Sequence, residues 1–230
     1  MRRIAIVATA LLMCVGAYCA IVVVQALRAT PSILTAALDA ESVELEIGDF
    51  PAGWLEDLLA VEDPNFYQHS GVDLTTPGAG ITTITQGLVK QLYFSEFRPG
   101  FAKLRQTLIA WLVFDRLVDK PTQLRLFVNR VYLGRDRDQP IHGFAQAAKA
   151  YFGRPFSELS REEFHSLVAM IIAPATFHVR DSSASNARRV SRIEDVLEGS
   201  YQPAGLMDVY YGSLTLVEQE TIPPFSYFGS

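Results

Sequence analysis

From Ile4 to Leu27 the chain runs for about 24 residues without a charged side chain, and no other feature narrows its fold so far. At a rise of about 1.5 Å per residue such a helix reaches about 36 Å, enough to cross a hydrocarbon core of about 30 Å with some tilt. The run therefore reads as a membrane span. A cleaved signal peptide would share the basic start at Arg2 and Arg3, but its apolar core should be only about 7–15 residues long. Arg2 and Arg3 precede the span and Arg28 alone follows it closely, so the positive-inside rule puts the N-terminus in the cytoplasm and the folded part outside. Cys14 and Cys19 both lie in the span, which leaves the exported part without a thiol for a disulfide.

Of the 230 residues, roughly 200 remain after the span, enough for one domain with a real core. Without Arg2 and Arg3 the chain has 18 basic residues against 25 acidic ones, the wrong sign for a duplex-binding protein, and no nucleic acid partner is expected. The charge is segregated. No Lys or Arg falls between Arg28 and Lys90, whereas Arg98 to Arg137 holds nine basic residues against three acidic.

Val43 to Ile47 alternates polar and apolar residues and reads as one strand or an extended linker. Helical spacing then takes over. Trp54, Leu58 and Val61 share a face at i, i+4, i+7, and Pro64 forces Glu62 and Asp63 to a helix end. Further apolar stripes run through Ile84, Leu88 and Leu92, through Leu104, Leu108 and Leu112, and through Leu124, Phe127 and Val131. Ser160 with Glu163 is a capping box opening another helix, and Val190, Ile193 and Leu197 mark the last. The exported domain is expected to be mainly α.

Glu62, Asp63, Phe66, His69, Gly71 and Asp73 gather three carboxylates and an imidazole beside an apolar wall. A carboxylate in such a place can have a raised pKa and accept a proton, so the cluster is a candidate acid/base site; alternatively the two aspartates cap turns and His69 is structural. No paired cysteines or His-Glu-x-x-His pattern points to a structural metal.

The pattern Glu62-Asp63-x-x-Phe66-x-x-His69-x-Gly71-x-Asp73 resembles the first signature of the family 51 glycosyltransferases, the peptidoglycan transglycosylases. Gly80, Thr83, Ile84, Thr85, Gln86, Leu88 and Lys90 follow its second signature, while Ile81, Thr82, Gly87 and Gln91 depart from it. Lys120, Leu124 and Asn129 resemble a later signature, and Arg188-Arg189-x-x-Arg192-Ile193 the last.

This resemblance implies a lysozyme-like helical domain that polymerises lipid II on a nascent glycan chain and releases undecaprenyl pyrophosphate. Glu62 matches the family's general base, and Lys90 and Arg98 match the cations that hold the donor pyrophosphate. Asp63, Thr83, Gln86, Lys103, Gln106 and Asn129 complete the substrate-binding set by position. No cofactor is implied, with divalent-cation assistance at the pyrophosphate left open. The organisation expected is a cytoplasmic tip and anchor at 1–27, a linker at 28–50, a transglycosylase-like domain at 51–200 and a tail without an assigned role at 201–230. The protein would sit in a bacterial cytoplasmic membrane as a single-pass protein, beside other cell-wall synthesis proteins.

Two departures bear on activity. The family's second essential Glu is replaced by Gln106, which cannot exchange a proton at neutral pH. The connection from Asp73 to Gly80 is also shorter than in most members, so part of the acceptor side is expected to be missing. A slow or specialised enzyme is one reading, and a membrane-anchored scaffold that binds lipid II or glycan without turning it over is the other. Glycan cleavage with Glu62 as general acid is a third, in which the cation pair has no task.

Overall fold

Residues 2–40, 42–98 and 100–222 are described by the structure, a computed structural model. In chain order the helices are α1 (Arg2–Leu38), α2 (Trp54–Glu62), α3 (Ile84–Tyr93), α4 (Phe101–Ile109), α5 (Asp115–Leu117), α6 (Lys120–Arg130), α7 (Phe144–Ala147), α8 (Arg161–Met170), α9 (Ser183–Leu197) and α10 (Leu216–Thr221). A hairpin of β1 (Tyr132–Asp136) and β2 (Gln139–His142) separates α6 from α7. The mainly helical class read from the sequence holds.

The apolar helix does not stop at Leu27. It continues to Leu38 through Pro31, which sits on its exposed side, so the first part of the expected linker is helical. Val22, Ala26, Thr30 and Ala37 are buried, at helical spacing, where α1 meets α3, α4 and the turn after α4. Thr30 Oγ1 lies 2.6 Å from the Tyr93 hydroxyl. Ile4 to Ile21 is exposed except at Cys19, a length of about 27 Å that matches a hydrocarbon core. Phe101, Leu104 and Trp111 are exposed on the helical segment packed against α1, and the Phe101 ring meets that of Tyr18 edge-on at 6.4 Å.

Val43 to Glu46 forms neither helix nor strand among the described residues, with Glu46 in extended backbone. Asn129 on α6 holds it instead: Oδ1 accepts from the Glu44 and Leu45 amides at 2.9 and 2.8 Å, and Nδ2 donates to the Leu45 carbonyl at 2.8 Å.

The core forms where the sequence periodicity places it. Trp54, Leu58 and Val61 are buried on one face of α2, and Trp54 stacks on Phe164 of α8 at 4.6 Å. Asp57 of α2 accepts both arms of the Arg161 guanidinium at 2.8 Å and faces His165 Nε2 at 2.9 Å, which fixes α2 against α8. The expected capping box is present, with Ser160 Oγ accepting from the Glu163 amide. The hairpin was not legible in the sequence. Its turn carries Arg137 and Asp138 at φ of +46° and +68°, a two-residue reversal of the kind usually marked by Asn-Gly.

Helix α4 runs through a π turn at Ala110–Phe114 into α5. The loop after α2 packs on that turn so closely that a Cβ on Gly71, whose φ is +81°, would lie 2.5 Å from the Ala110 carbonyl oxygen. Only glycine fits there.

Candidate active site

Glu62 is the last helical residue of α2, and Asp63 leaves the helix with φ −160° ahead of Pro64. Asp63 is buried and fully used. One oxygen takes the His69 Nε2 proton at 2.8 Å and the other accepts from the Ile84 amide at 3.0 Å. The Gly71 amide donates to His69 Nδ1 at 3.0 Å, so this network fixes the imidazole with its proton on Nε2. Asp73 folds its own turn by accepting from Thr75 and Thr76. Burial would raise its pKa, but these hydrogen bonds win and hold it well below the usual carboxylate range.

Glu62 differs from both aspartates. It is half-buried, and desolvation lifts its carboxyl to about 7; Arg189 pulls against that rise and Asp63 adds to it. Its pKa is thereby brought toward neutrality, the range in which a carboxylate is both available and basic enough to take a proton.

Next to this turn is the start of α3. Thr83 caps it, accepting from the Gln86 amide at 3.1 Å and donating to the Gly71 carbonyl at 2.7 Å. Gln86 closes the capping box through its Oε1 and reaches Thr107 with Nε2. Thr82, one residue before the cap, accepts from Lys103 Nζ at 3.0 Å. The same helix end therefore ties the carboxylate turn to a lysine. Lys90, in the last turn of α3, is close enough to Lys103 for their charges to interact. Burial lowers the Lys90 pKa, and burial followed by the charge of Lys90 brings Lys103 down to about 8. Lys120 pairs with Asp115 and Lys149 with Glu44, whereas among the described residues Lys90 and Lys103 have no carboxylate partner. Two part-buried ammonium groups without a carboxylate partner among the described residues make a place for a polyanion.

The other residues expected from the sequence have different surroundings. Arg98 is exposed and paired with Glu96 at 2.9 Å, outside the lysine pair. Gln106 is buried, its Nε2 donating to the Gln86 carbonyl at 2.7 Å and its Oε1 facing no hydrogen-bond partner. Asn129 spends its side chain on the 44–45 segment and on the Arg125 carbonyl, and Gln86 and Thr83 spend theirs on the α3 cap. Among the described residues no three His, Cys, Asp or Glu side chains gather to hold a metal ion.

Two residues beside Glu62 were not singled out as site residues in the sequence. Arg189 on α9, a member of the last signature, is buried, and among the described residues its Nε and Nη1 have no hydrogen-bond partner. Tyr211, in a tail without periodicity, stacks its ring 4.4 Å from that guanidinium and donates its hydroxyl to the Val61 carbonyl at 2.9 Å. Nothing local marks Tyr211. The doublet Arg188-Arg189 was the one available signal for its neighbour.

Comparison with known proteins gives the chain a family. Residues 32–198 match a family model described as Transglycosylase. Penicillin-binding protein 1B of Escherichia coli (strain K12) is 38% identical over 135 residues, which is 53% of this chain and 16% of that protein. Penicillin-binding protein 1B of Buchnera aphidicola subsp. Acyrthosiphon pisum (strain APS) is 37% identical over 53% of this chain and 18% of its own length. Penicillin-binding protein 1B of Vibrio cholerae serotype O1 is 34% identical over 61% of this chain and 20% of its own. The matched region thus covers a fifth or less of each of these relatives.

Proposed function

The chain belongs to the transglycosylase family, and from that premise we propose that it is a membrane-anchored peptidoglycan glycosyltransferase. It would polymerise lipid II, adding to a nascent glycan chain with release of undecaprenyl pyrophosphate. The observation that supports this most is the shared helix end: Asp63, next to Glu62, accepts from the Ile84 amide, and Thr82 just before the cap holds Lys103. A base and a cation pair are then fixed in one frame, as displacement of a pyrophosphate by a sugar hydroxyl requires.

In the proposed reaction the acceptor 4-hydroxyl oxygen bonds to the anomeric carbon of the donor while the bond from that carbon to the pyrophosphate oxygen breaks. Glu62 takes the hydroxyl proton, and the pyrophosphate leaves with its electron pair. Lys90 and Lys103 stabilise the charge that grows on it. Asp63, Thr83, Gln86 and Asn129 act by holding the frame, since their polar atoms are already engaged. Arg98 serves at most as an outer guide for the lipid phosphates. The free apolar length Ile4 to Ile21 anchors the chain in a bacterial cytoplasmic membrane, with Phe101, Leu104 and Trp111 at its surface and the domain on the outer side. The domain runs from about 51 to 200, after an anchor and a short connection.

One observation favours a second reading. Gln106 offers an amide where the family has its second essential carboxylate, and that amide is locked to the Gln86 carbonyl. Turnover is accordingly slow or specialised, and a scaffold that binds lipid II without polymerising it is the rival. Incubating the full-length protein in detergent with labelled lipid II, with and without divalent metal, separates the two. Glycan strands support the enzyme, and bound but unreacted lipid II the scaffold.

A further inference from the structure

The last part of the chain lies beyond the family match, which ends at residue 198, yet it is built into the site. The Gly78 and Gly80 amides donate to the Gly205 and Leu206 carbonyls, each at 2.9 Å. A Cβ on Gly78 would stand 2.8 Å from Pro203 and 3.0 Å from the Tyr211 ring, so the absent side chain is what lets the tail lie against the short 73–80 connection. Asp208 folds the tail from within, accepting from the Tyr201 hydroxyl at 2.7 Å and the Ala204 amide at 2.9 Å. Farther on, Glu218 of α10 is fully buried and pairs with Arg188 and Arg192 of α9 at 3.1 and 2.8 Å. The tail is clamped on both sides of Tyr211.

Tyr211 is buried and held at φ +55°, an unfavourable backbone for a tyrosine. Its hydroxyl satisfies the Val61 carbonyl, one of the last-turn groups of α2 that have no partner within the helix, in the residue before Glu62. Its ring covers the guanidinium of Arg189. Among the described residues, Asp63 from its own helix end, Arg189 from α9 and Tyr211 from the tail are near enough to Glu62 for charge to act between them, as Arg192, Tyr210 and Asp208 are to Arg189.

We propose that residues 203–212 wall Glu62 off from solvent, in the place the short 73–80 connection leaves open, and that Tyr211 is a positioning residue that holds the end of α2 and keeps Arg189 back from Glu62. The role rests on Glu62 being the acceptor-side base. The wall itself is a matter of geometry. By excluding water it keeps Glu62 basic, and by covering Arg189 it keeps that cation from wandering into a full ion pair that would acidify Glu62.

The test follows Glu62 directly in the full-length protein in detergent, by carbon-13 NMR of labelled glutamate carboxyls, with the Glu62 signal assigned by its loss in Glu62→Gln. The wild type should titrate near pH 7. Tyr211→Leu should lower the midpoint by about one pH unit or more as water replaces the ring, and Tyr211→Phe, which keeps the ring, should lower it less. Asp208→Ala loosens the tail without touching the ring and should act in the same direction, which covers the case in which Tyr211→Leu does not fold. An unchanged midpoint in the folded variants overturns the proposal, as does a wild-type midpoint near 4.5. So does faster lipid II polymerisation in Tyr211→Leu or Asp208→Ala, because the tail would then be an obstruction. A wild type that makes no glycan overturns the proposed enzyme while the titration still decides the wall.

Discussion

The carboxylate part and the cation part of the candidate site reach similar electrostatic ends by different means. On the carboxylate side, Glu62 is pushed up to about 7 by desolvation, with its surroundings supplied by α9 and by a tail outside the family match. On the cation side, Lys103 is brought down to about 8 by burial and by Lys90, with everything it touches drawn from the α3 and α4 region. Both groups are thus poised within about a unit of neutrality, one assembled from remote segments and one from near neighbours. Desolvation does the work in each case because it penalises whichever form is charged. The charge state of each group depends on how closely its surroundings exclude water, and the two surroundings can be perturbed separately.

The largest effect should come from the carboxylate side. Glu62→Gln is expected to reduce lipid II polymerisation by about 10³-fold, within the range for a lost general base, while the thermal melt stays within about 1 kcal/mol of wild type. Turnover near the wild-type level would mean that the reactive half of the comparison has been placed on the wrong residue.

On the opposite wall, Lys90→Ala combined with Lys103→Ala should weaken capture of a lipid pyrophosphate by about 100-fold, at roughly 1.5 kcal/mol or more for each charge-assisted contact. Arg98→Ala, which removes an exposed side chain already paired with Glu96, should change the same affinity by less than about threefold. Binding measured by titration into detergent-solubilised protein would show the contrast. Equal losses for Arg98 and the lysine pair would move the anion site outward.

Poising both walls near neutrality predicts a narrow pH window. Polymerisation needs Glu62 ionised, so kcat/KM should rise as pH increases through about 7, and it needs Lys103 protonated, so it should fall as pH passes about 8. Outside these limbs the loss should be about tenfold per unit. A profile flat from pH 5 to 7 would show that Glu62 is solvated and the comparison false.

The smallest effect concerns a buried position between the walls. A carboxylate at 106 could not donate to the Gln86 carbonyl and would be charged in a buried place, so Gln106→Glu should lower stability by about 1–3 kcal/mol at pH 8. The loss should shrink near pH 5, where the acid is protonated and can donate again. Melts at the two pH values test this, and a parallel gain in polymerisation would mark a degraded enzyme whose frame is otherwise intact.

Much of this was legible before any coordinates. The helix end at Glu62 and Asp63 followed from the Trp54, Leu58, Val61 stripe and Pro64, and the Ser160 cap from two residues three apart. The hairpin escaped because Arg137-Asp138 has none of the usual turn residues, and α1 was read as ending at Leu27 because its later buried face is set by what α3 and α4 offer it. Arg98 was ranked with Lys90 because a motif records residue type and spacing, and is silent on which side chain the fold buries.

By itself the sequence indicated a candidate span, the helical domain, the family resemblance and Glu62 as the candidate base. These depend on composition, on periods of three or four residues and on turn chemistry, all of them local properties of a chain. Only the tertiary structure decided that Asp63, Thr83, Gln86 and Asn129 are spent on internal hydrogen bonds, that Lys90 and Lys103 have no carboxylate partner among the described residues, and that Tyr211 covers Arg189 and ties the tail to the end of α2. Those outcomes turn on which distant surfaces exclude water together. Burial of that kind sets a pKa through the whole packed surrounding, which no local spacing in the chain encodes.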